Sequence, residues 1–360
     1  MGARGGAAPG GGVSGEGAPA VRRVLVVRRR ALGDLVLSLP ALDLLRRGLP
    51  GAEIDLLMDG PLVETARAWA GADRVVAFPD RATGPGWARR AAALRRLVGE
   101  LAGRRYDLAV DLHSTPQTAL LCRLTGAPRR VGLDLPGRRW AYTVRVARTG
   151  GEPGPTGRPR YIASALADVA AAALGRRGAG ADLEPRFAAP PAETPAAGGP
   201  RRPRVALAPG ATWAAKAWPA ESYREVALAL SAERGASVTV FWGPGEEPLA
   251  RAVAAALPGV TVAPPGDVRE LAERLRGHDL LISGDSGARH IAIAAGVRTL
   301  ALFGPTDPWT ATPPGGRHRW LRYPIACAPC QRTRCELAAN HCLGRVTPAE
   351  VLRVAAEMLA

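Results

Sequence analysis

Short apolar runs alternate with longer amphipathic stretches along almost the whole chain. The first run is residues 21–27, where Val24, Leu25, Val26 and Val27 follow a pair of arginines, and a helical spacing continues over 34–47. The same reading predicts strands at 53–58, 75–78 and 107–112, and helices at 61–70, 87–101, 115–124 and 158–174. In the helix at 87–101, Trp87, Leu94, Leu97, Val98 and Leu101 recur on one face, with arginine pairs beside them. Residues 175–203 lose this periodicity and fill with Gly, Ala and Pro, the composition of a linker. The alternation then restarts, with strands at 204–208, 237–242, 260–262, 279–283 and 299–303. Helices are predicted at 220–233, 247–256, 268–276 and 287–295, and a closing helix at 348–358. Strands that alternate with helices imply parallel sheets with crossover connections. The expected fold is therefore α/β, with two doubly wound parallel-sheet domains facing a cleft. The expected division is a disordered Gly/Ala-rich tail at 1–20, an N-terminal domain at 21–175, a linker at 176–203, a C-terminal domain at 204–347 and a closing helix at 348–360. In such sheets ligands bind outside the carboxyl ends of the strands, so the loops there are where chemistry is sought.

Composition supports two globular domains: 360 residues, 47 % apolar and 22 % charged. No apolar run approaches the roughly 18 residues that span a bilayer. The first twenty residues lack the apolar stretch of a secretory leader, so a cytoplasmic protein is expected. The net charge of +16 points to an acidic partner, unless it reflects a general preference for arginine. Aromatic residues are only 5 % and are not interleaved with basic ones in the manner of single-strand binders. That favours an anionic lipid or a small phosphate ligand over nucleic acid. Lys216 is the only lysine. A compact ammonium kept where every other basic residue is a planar guanidinium suggests a position the fork does not fit.

Four junctions carry candidate chemistry. Gly33 and Asp34 lie where the first strand meets its helix; Asp34 is either an N-cap or a general base facing the cleft. Residues 208–219 follow the first strand of the second half, and there Thr212 and Lys216 offer a diphosphate cradle at a helix start. Glu246 and Glu247 follow a Gly-Pro-Gly turn, as helix-terminal charges or as partners of a ribose or sugar hydroxyl. Asp285, Ser286, Gly287 and His290 again join a strand to a helix, where backbone N–H groups suit phosphate. Gly10, Gly12 and Gly15 match a dinucleotide fingerprint, but they precede any strand and no turn can use them. Cys327, Cys330, Cys335 and Cys342 are spaced C-x₂-C-x₄-C-x₆-C. They are free thiols, or a structural zinc or iron–sulfur site.

Taken together these motifs resemble the lipopolysaccharide heptosyltransferases, glycosyltransferase family nine. The resemblance rests on Leu32-Gly33-Asp34 with Pro40, on Tyr106-Asp107 through Leu112 with the following Gly126-Ala127-Pro128, and on Pro209-Gly210 through Lys216-Ala217-Trp218-Pro219. Its most specific part is Asp285-Ser286-Gly287 with His290, followed by Phe303-Gly304-Pro305-Thr306-Asp307-Pro308. The cysteine-rich tail is similar to heptosyltransferase II-like members. The resemblance implies a GT-B fold of two Rossmann-like domains and inverting transfer of heptose from ADP-heptose to a lipid A-linked core sugar, with no cofactor or metal required. It implies that Asp34 is the base, that Thr212, Lys216, Glu246, Glu247, Asp285, Ser286, Gly287 and His290 hold the donor, and that Arg30 and His113 meet the acceptor. His113 stands where Gln is common, and Arg289 where an apolar residue is usual, so Arg289 is a candidate phosphate contact. A phosphorylated glycolipid acceptor also gives the arginine pairs a use at the cytoplasmic face of the inner membrane, where the protein would be peripheral. The alternatives are another nucleotide-sugar donor and a non-catalytic nucleotide-binding protein on the same fold.

Overall fold

The computed structural model describes residues 21–79, 86–148, 158–178, 183–187, 202–337 and 341–360. The predicted tail, with its glycine fingerprint, and most of the linker lie outside the described residues. The first sheet contains β1 (Arg23–Val27), β2 (Glu53–Asp59), β3 (Arg74–Phe78), β4 (Leu108–Asp111), β5 (Arg129–Leu133) and β6 (Val144–Val146). The second contains β7 (Arg204–Ala208), β8 (Ser237–Val240), β9 (Val260–Val262), β10 (Leu280–Gly284), β11 (Arg298–Leu302) and β12 (His318–Leu321). The orders are β3-β2-β1-β4-β5-β6 and β12-β11-β10-β7-β8-β9, and every pairing is parallel. Read from the matching end, both are the doubly wound order 3-2-1-4-5-6. Each sheet therefore has a switch point, between β1 and β4 and between β7 and β10. β4 and β10 are buried along their whole length, as continuous apolar strands covered on both faces should be.

The crossovers are α1 (Leu32–Gly48), α2 (Val63–Trp69), α3 (Trp87–Gly103), α4 (Pro116–Leu124) and α5 (Ile162–Ala173) in the first lobe. The second has α6 (Ala220–Leu228), α7 (Glu247–Ala254), α8 (Val268–Leu275), α9 (Gly287–Ala294), the single turn α10 (Pro308–Ala311) and the closing α11 (Pro348–Leu359). α1 and α5 pack closely enough that a Cβ on Gly48 would stand 2.5 Å from Leu174 Cδ1. The two lobes share one apolar cluster, in which Leu35 and Leu39 of α1 join Phe241 and Ile291 of the second lobe.

Three strands were not predicted. β5, β6 and β12 read RRVGL, VRV and HRWL, too short and too basic to show an apolar period. They form because a neighbouring strand already presents a ladder edge. The predicted helix at 220–233 is α6 followed by a single π turn at Ala229–Glu233, and the one at 158–174 begins only at Ile162.

Candidate active site

Val27 at the end of β1 is in register with Asp111 at the end of β4, so the loops after these strands lie side by side. Arg28 fills the space between them. Only 7 % exposed, it donates from Nη1 to the Leu112 carbonyl at 2.5 Å, from Nε to the Asp34 carbonyl at 3.3 Å and from Nη2 to Asp34 Oδ1 at 2.8 Å. Burial draws the Arg28 guanidinium below its ordinary value, against the pull of Asp34 and Asp111. Asp34 is not the N-cap. That position is Ala31, which makes no side-chain cap and sits at φ 66°, a conformation costly for a residue with a Cβ. The Asp34 carboxylate is thus held by Arg28 rather than spent on capping. Sequence reasoning missed Arg28, because three consecutive arginines look alike until the fold sorts them. Arg29 turns to Asp59 at 2.8 Å and lies 3.6 Å over the Phe78 ring; Arg30 is exposed.

Asp111 anchors the neighbouring loop. Its carboxylate accepts from the His113 and Ser114 N–H groups at 2.9 and 2.8 Å and from Tyr142 Oη at 2.7 Å, while burial raises its pKa. His113 beside it is held neutral: burial, then Arg28, Arg29 and Arg30, bring its pKa down to about 4. The two residues expected to meet the acceptor, Arg30 and His113, therefore share one wall.

The second switch point holds the opposite arrangement. Lys216 ends a short 3-10 helix, Ala214–Lys216. Its Nζ donates to Asp285 Oδ2 at 2.6 Å and lies 4.4 Å over the Trp213 ring. Asp285 also accepts from Thr306 Oγ1 at 2.8 Å and lies 3.9 Å from His290 Nε2. Burial works to raise the Asp285 carboxyl, but Lys216, His290 and Arg289 outweigh it and the pKa falls below the usual range. His290 is driven down to about 4 by burial and by Arg289, so it is neutral at physiological pH. Thr306, quoted in a motif but given no role from sequence, is what fixes Asp285.

A cavity of about 230 Å³ opens beside this cluster. Thr212, Glu246, Ser286 and Gly287 supply its polar rim, Phe241, Trp242 and Leu271 its apolar wall, and Leu32 enters from the first lobe. Sequence reasoning did not find the apolar wall, because core and pocket positions share one hydrophobic signal. Glu246 is held by the Gly243 N–H at 2.8 Å, and a Cβ on Gly210 would collide with its carboxylate, which explains the glycine. Ser286 is the N-cap of α9 but makes no cap bond, and its hydroxyl is buried without a partner. Glu247 does not line the cavity; it forms an i,i+4 pair with Arg251 on the surface of α7. Lys216, Asp285 and His290 stand behind the rim rather than in it. Arg289 corrects the sequence expectation outright. Fully buried, it donates to the Ala311 carbonyl at 3.1 Å and to Thr312 Oγ1 at 2.7 Å, so it braces α10 and is turned away from any phosphate.

The two switch points meet at Gly33. A Cβ there would stand 2.8 Å from His290 Cδ2, so the loop bearing Asp34 packs directly on α9.

All four clustered cysteines are free thiols: Cys327 is exposed, Cys330 and Cys335 are half-buried, and Cys342 is buried, its pKa raised by that burial. Among the described residues no three metal-ligating side chains converge, so a zinc or iron–sulfur centre is not shown there. The segment braces the site. The Ala215 N–H donates to the Thr333 carbonyl at 3.1 Å and the Gln331 N–H to Pro305 at 2.8 Å.

Residues 94–341 match the family described as Glycosyltransferase family 9 (heptosyltransferase). Lipopolysaccharide heptosyltransferase 1 of Pseudomonas aeruginosa is 30% identical over 325 residues, covering 87% of each chain. Lipooligosaccharide heptosyltransferase 2 of Campylobacter jejuni is 28% identical over 164 residues, 43% of this chain and 50% of that one. Among solved structures, the Escherichia coli heptosyltransferase WaaC with ADP superposes with a TM-score of 0.74 at 22% identity, over 93% of this chain and 99% of that one. The E. coli ADP-heptose lps heptosyltransferase II gives 0.72 at 21%, over 94% and 98%. The fold is thus GT-B, and the chain, an enzyme, belongs to glycosyltransferase family 9, the heptosyltransferases.

Proposed function

We propose that this enzyme transfers heptose from ADP-heptose to the inner core of a lipid A-linked lipopolysaccharide acceptor, with inversion and without a metal. Asp34 takes the proton of the acceptor hydroxyl as its oxygen attacks the anomeric carbon. The new C–O bond forms as the bond from that carbon to the diphosphate oxygen breaks, and ADP leaves with the electron pair. The charge it gains is met by the Ser286 and Thr212 hydroxyls, by the N-terminus of α9 and by Lys216. These groups supply the positive potential that the leaving diphosphate needs, which supports the metal-independent reading. Arg28 acts through Asp34, fixing its carboxylate from inside. Arg30 and His113 face the acceptor, Glu246 reaches a donor hydroxyl, and Asp285 and His290 hold Lys216 and Gly33 in place.

One observation carries the reading. A buried, unpartnered Ser286 hydroxyl lies in a 230 Å³ cavity at the start of α9, and the loop of Asp34 rests on His290 of that same helix. The ligand names of relatives favour adenine: WaaC was solved with ADP and with ADP-2-deoxy-2-fluoro heptose. None of the described helices is long and apolar enough to cross a membrane. We therefore place the enzyme peripherally at the cytoplasmic face of the inner membrane, where its acceptor is anchored.

The test is transfer from ADP-heptose to a heptose-deficient core acceptor, with and without Asp34→Ala, alongside calorimetric titration with ADP, UDP and GDP. Transfer that depends on Asp34, with a preference for ADP, is expected. A preference for UDP would overturn the donor assignment, and full activity without Asp34 would overturn the mechanism.

A further inference from the structure

The outer face of the first lobe differs from the rest of the surface in two ways. The first is apolar exposure. Among the described residues six large apolar side chains are exposed, and four of them lie on three neighbouring elements. Trp87 opens α3, Leu120 and Leu124 lie on α4, and Trp140 is on the short 3-10 helix Arg139–Ala141. α4 touches both of the other elements, and Ala119 of α4 packs on Ala141 and Tyr142. α3 docks on its own sheet through Leu97 and Leu101, as its apolar stripe predicts. Residues 86–90 at its start are all exposed, and Trp87 is 85 % exposed. Trp140 is 56 % exposed, with its indole N–H fixed to the Gly137 carbonyl at 3.0 Å.

The second difference is charge pairing. Three helices of the second lobe, α7, α8 and α11, pair arginines with glutamates one turn away: Arg251 with Glu247, Arg269 with Glu273, Arg274 with Glu270 and Arg353 with Glu357. On α3 and α4 no such ladder exists. Among the described residues no ion pair joins Arg89, Arg90, Arg95, Arg96 or Arg123 to a carboxylate. The one acid on α3, Glu100, is taken by Arg74 of β3, and α4 has none.

Building on the lipid-linked acceptor proposed above, we propose that this face, with Trp87, Leu120, Leu124 and Trp140 as anchors and the α3 and α4 arginines as counter-charges, docks on an anionic phospholipid surface. Indoles settle at the headgroup level, an apolar patch enters the acyl boundary, and unpaired guanidinium groups are drawn to a negative leaflet. A protein partner of ordinary composition would not require so many unpaired cations around so few apolar anchors. The placement also suits the reaction. α4 leaves β4 just after Asp111 and His113, Gln117 in its first turn accepts from Arg29 at 2.5 Å, and Tyr142 next to the Trp140 turn bonds Asp111. Membrane contact and acceptor wall thus belong to one rigid unit.

Flotation of the full chain with vesicles tests this, using phosphatidylcholine alone or with phosphatidylglycerol as roughly a third of the lipid. The wild type should bind the anionic vesicles and release them at high salt. Trp87→Ser with Trp140→Ser should weaken binding about tenfold, and Arg95→Ser with Arg96→Ser about fivefold per charge. Both variants should keep the wild-type melting temperature and full transfer to a water-soluble, deacylated acceptor. Should either fail to fold, Leu120→Gln with Leu124→Gln provides an independent pair on α4. Equal binding to neutral and anionic vesicles, or tryptophan and leucine variants that float like wild type, would overturn the proposal. So would a face whose substitution changes the sedimenting mass instead, which would mark it as a contact between copies. Vesicle binding without any heptose transfer would leave this surface standing and overturn the proposed reaction.

Discussion

At the end of β1 a carboxylate, Asp34, is held by a buried arginine at 2.8 Å; at the end of β7 and β10 a lysine is held by a half-buried carboxylate, Asp285, at 2.6 Å. The two sheets have the same strand order and place these pairs at the same switch point. The sign that reaches the cleft is nevertheless reversed. In the first lobe Arg28 is enclosed and its donors are consumed by Asp34 and the Leu112 carbonyl, which leaves a carboxylate at the edge. In the second lobe Asp285 is enclosed, pinned by Lys216 and Thr306, which leaves an ammonium, a hydroxyl and a helix N-terminus. One topology places a carboxylate on one wall and a lysine, a hydroxyl and a helix N-terminus on the other. The loop residues, not the sheet, allot the roles.

The largest effect should come from the first wall. Asp34→Asn should lower kcat about a thousandfold with ADP affinity unchanged, as read by steady-state rates and calorimetry. A parallel loss of ADP binding would show that the walls do not divide the work as described. Lys216→Ala should lower kcat about a hundredfold and also weaken ADP binding, because it removes the positive charge behind the cavity rim and leaves Asp285 short of its main partner. Loss of rate alone would separate Lys216 from ADP binding.

The contact between the walls should be sensitive to acid. His290 titrates near 6.5 when unfolded and at about 4 in place, so the unfolded chain binds the extra proton between those values. Stability is therefore full above pH 6.5 and falls by about 3 kcal/mol on approaching pH 4. His290→Gln should flatten that part of a denaturant-midpoint titration, and an unchanged slope would place the imidazole in water. The smallest effect should be Ser286→Ala, which weakens ADP-sugar binding about tenfold. Its melting temperature should stay within about 2 °C of wild type, since the lost hydroxyl has no partner in the protein. A large fall in melting temperature would reveal a structural role instead.

How far the sequence reached follows from the same residues. β7 and β9 are continuous apolar runs or β-branched triplets between turn residues, and their ends were readable to the residue. Gly33, Gly210 and Gly287 marked the site loops because close backbone approach needs glycine, and Gly33 against His290 shows such an approach. The choice between Glu246 and Glu247 was not readable. One residue of helical phase sends the first toward Gly210 and the second to Arg251, and phase at a helix start is set by the turn before it. The same holds for Arg289, which the motif suggests as a phosphate contact and packing places against Phe303 and Thr312.

The sequence by itself determined what depends on neighbours along the chain. It fixed the alternation of strand and helix, the glycine-bearing junctions at the strand ends, and the family that carries those motifs. The tertiary structure decided what depends on groups far apart in the chain. It chose which of three arginines turns inward to hold Asp34, left the Ser286 hydroxyl unpaired and left Trp87 outside the core. It also brought Gly33 onto a helix more than two hundred residues away. Hydrophobic period and turn chemistry act over a few residues, whereas burial, charge pairing and close approach are properties of the assembled lobes.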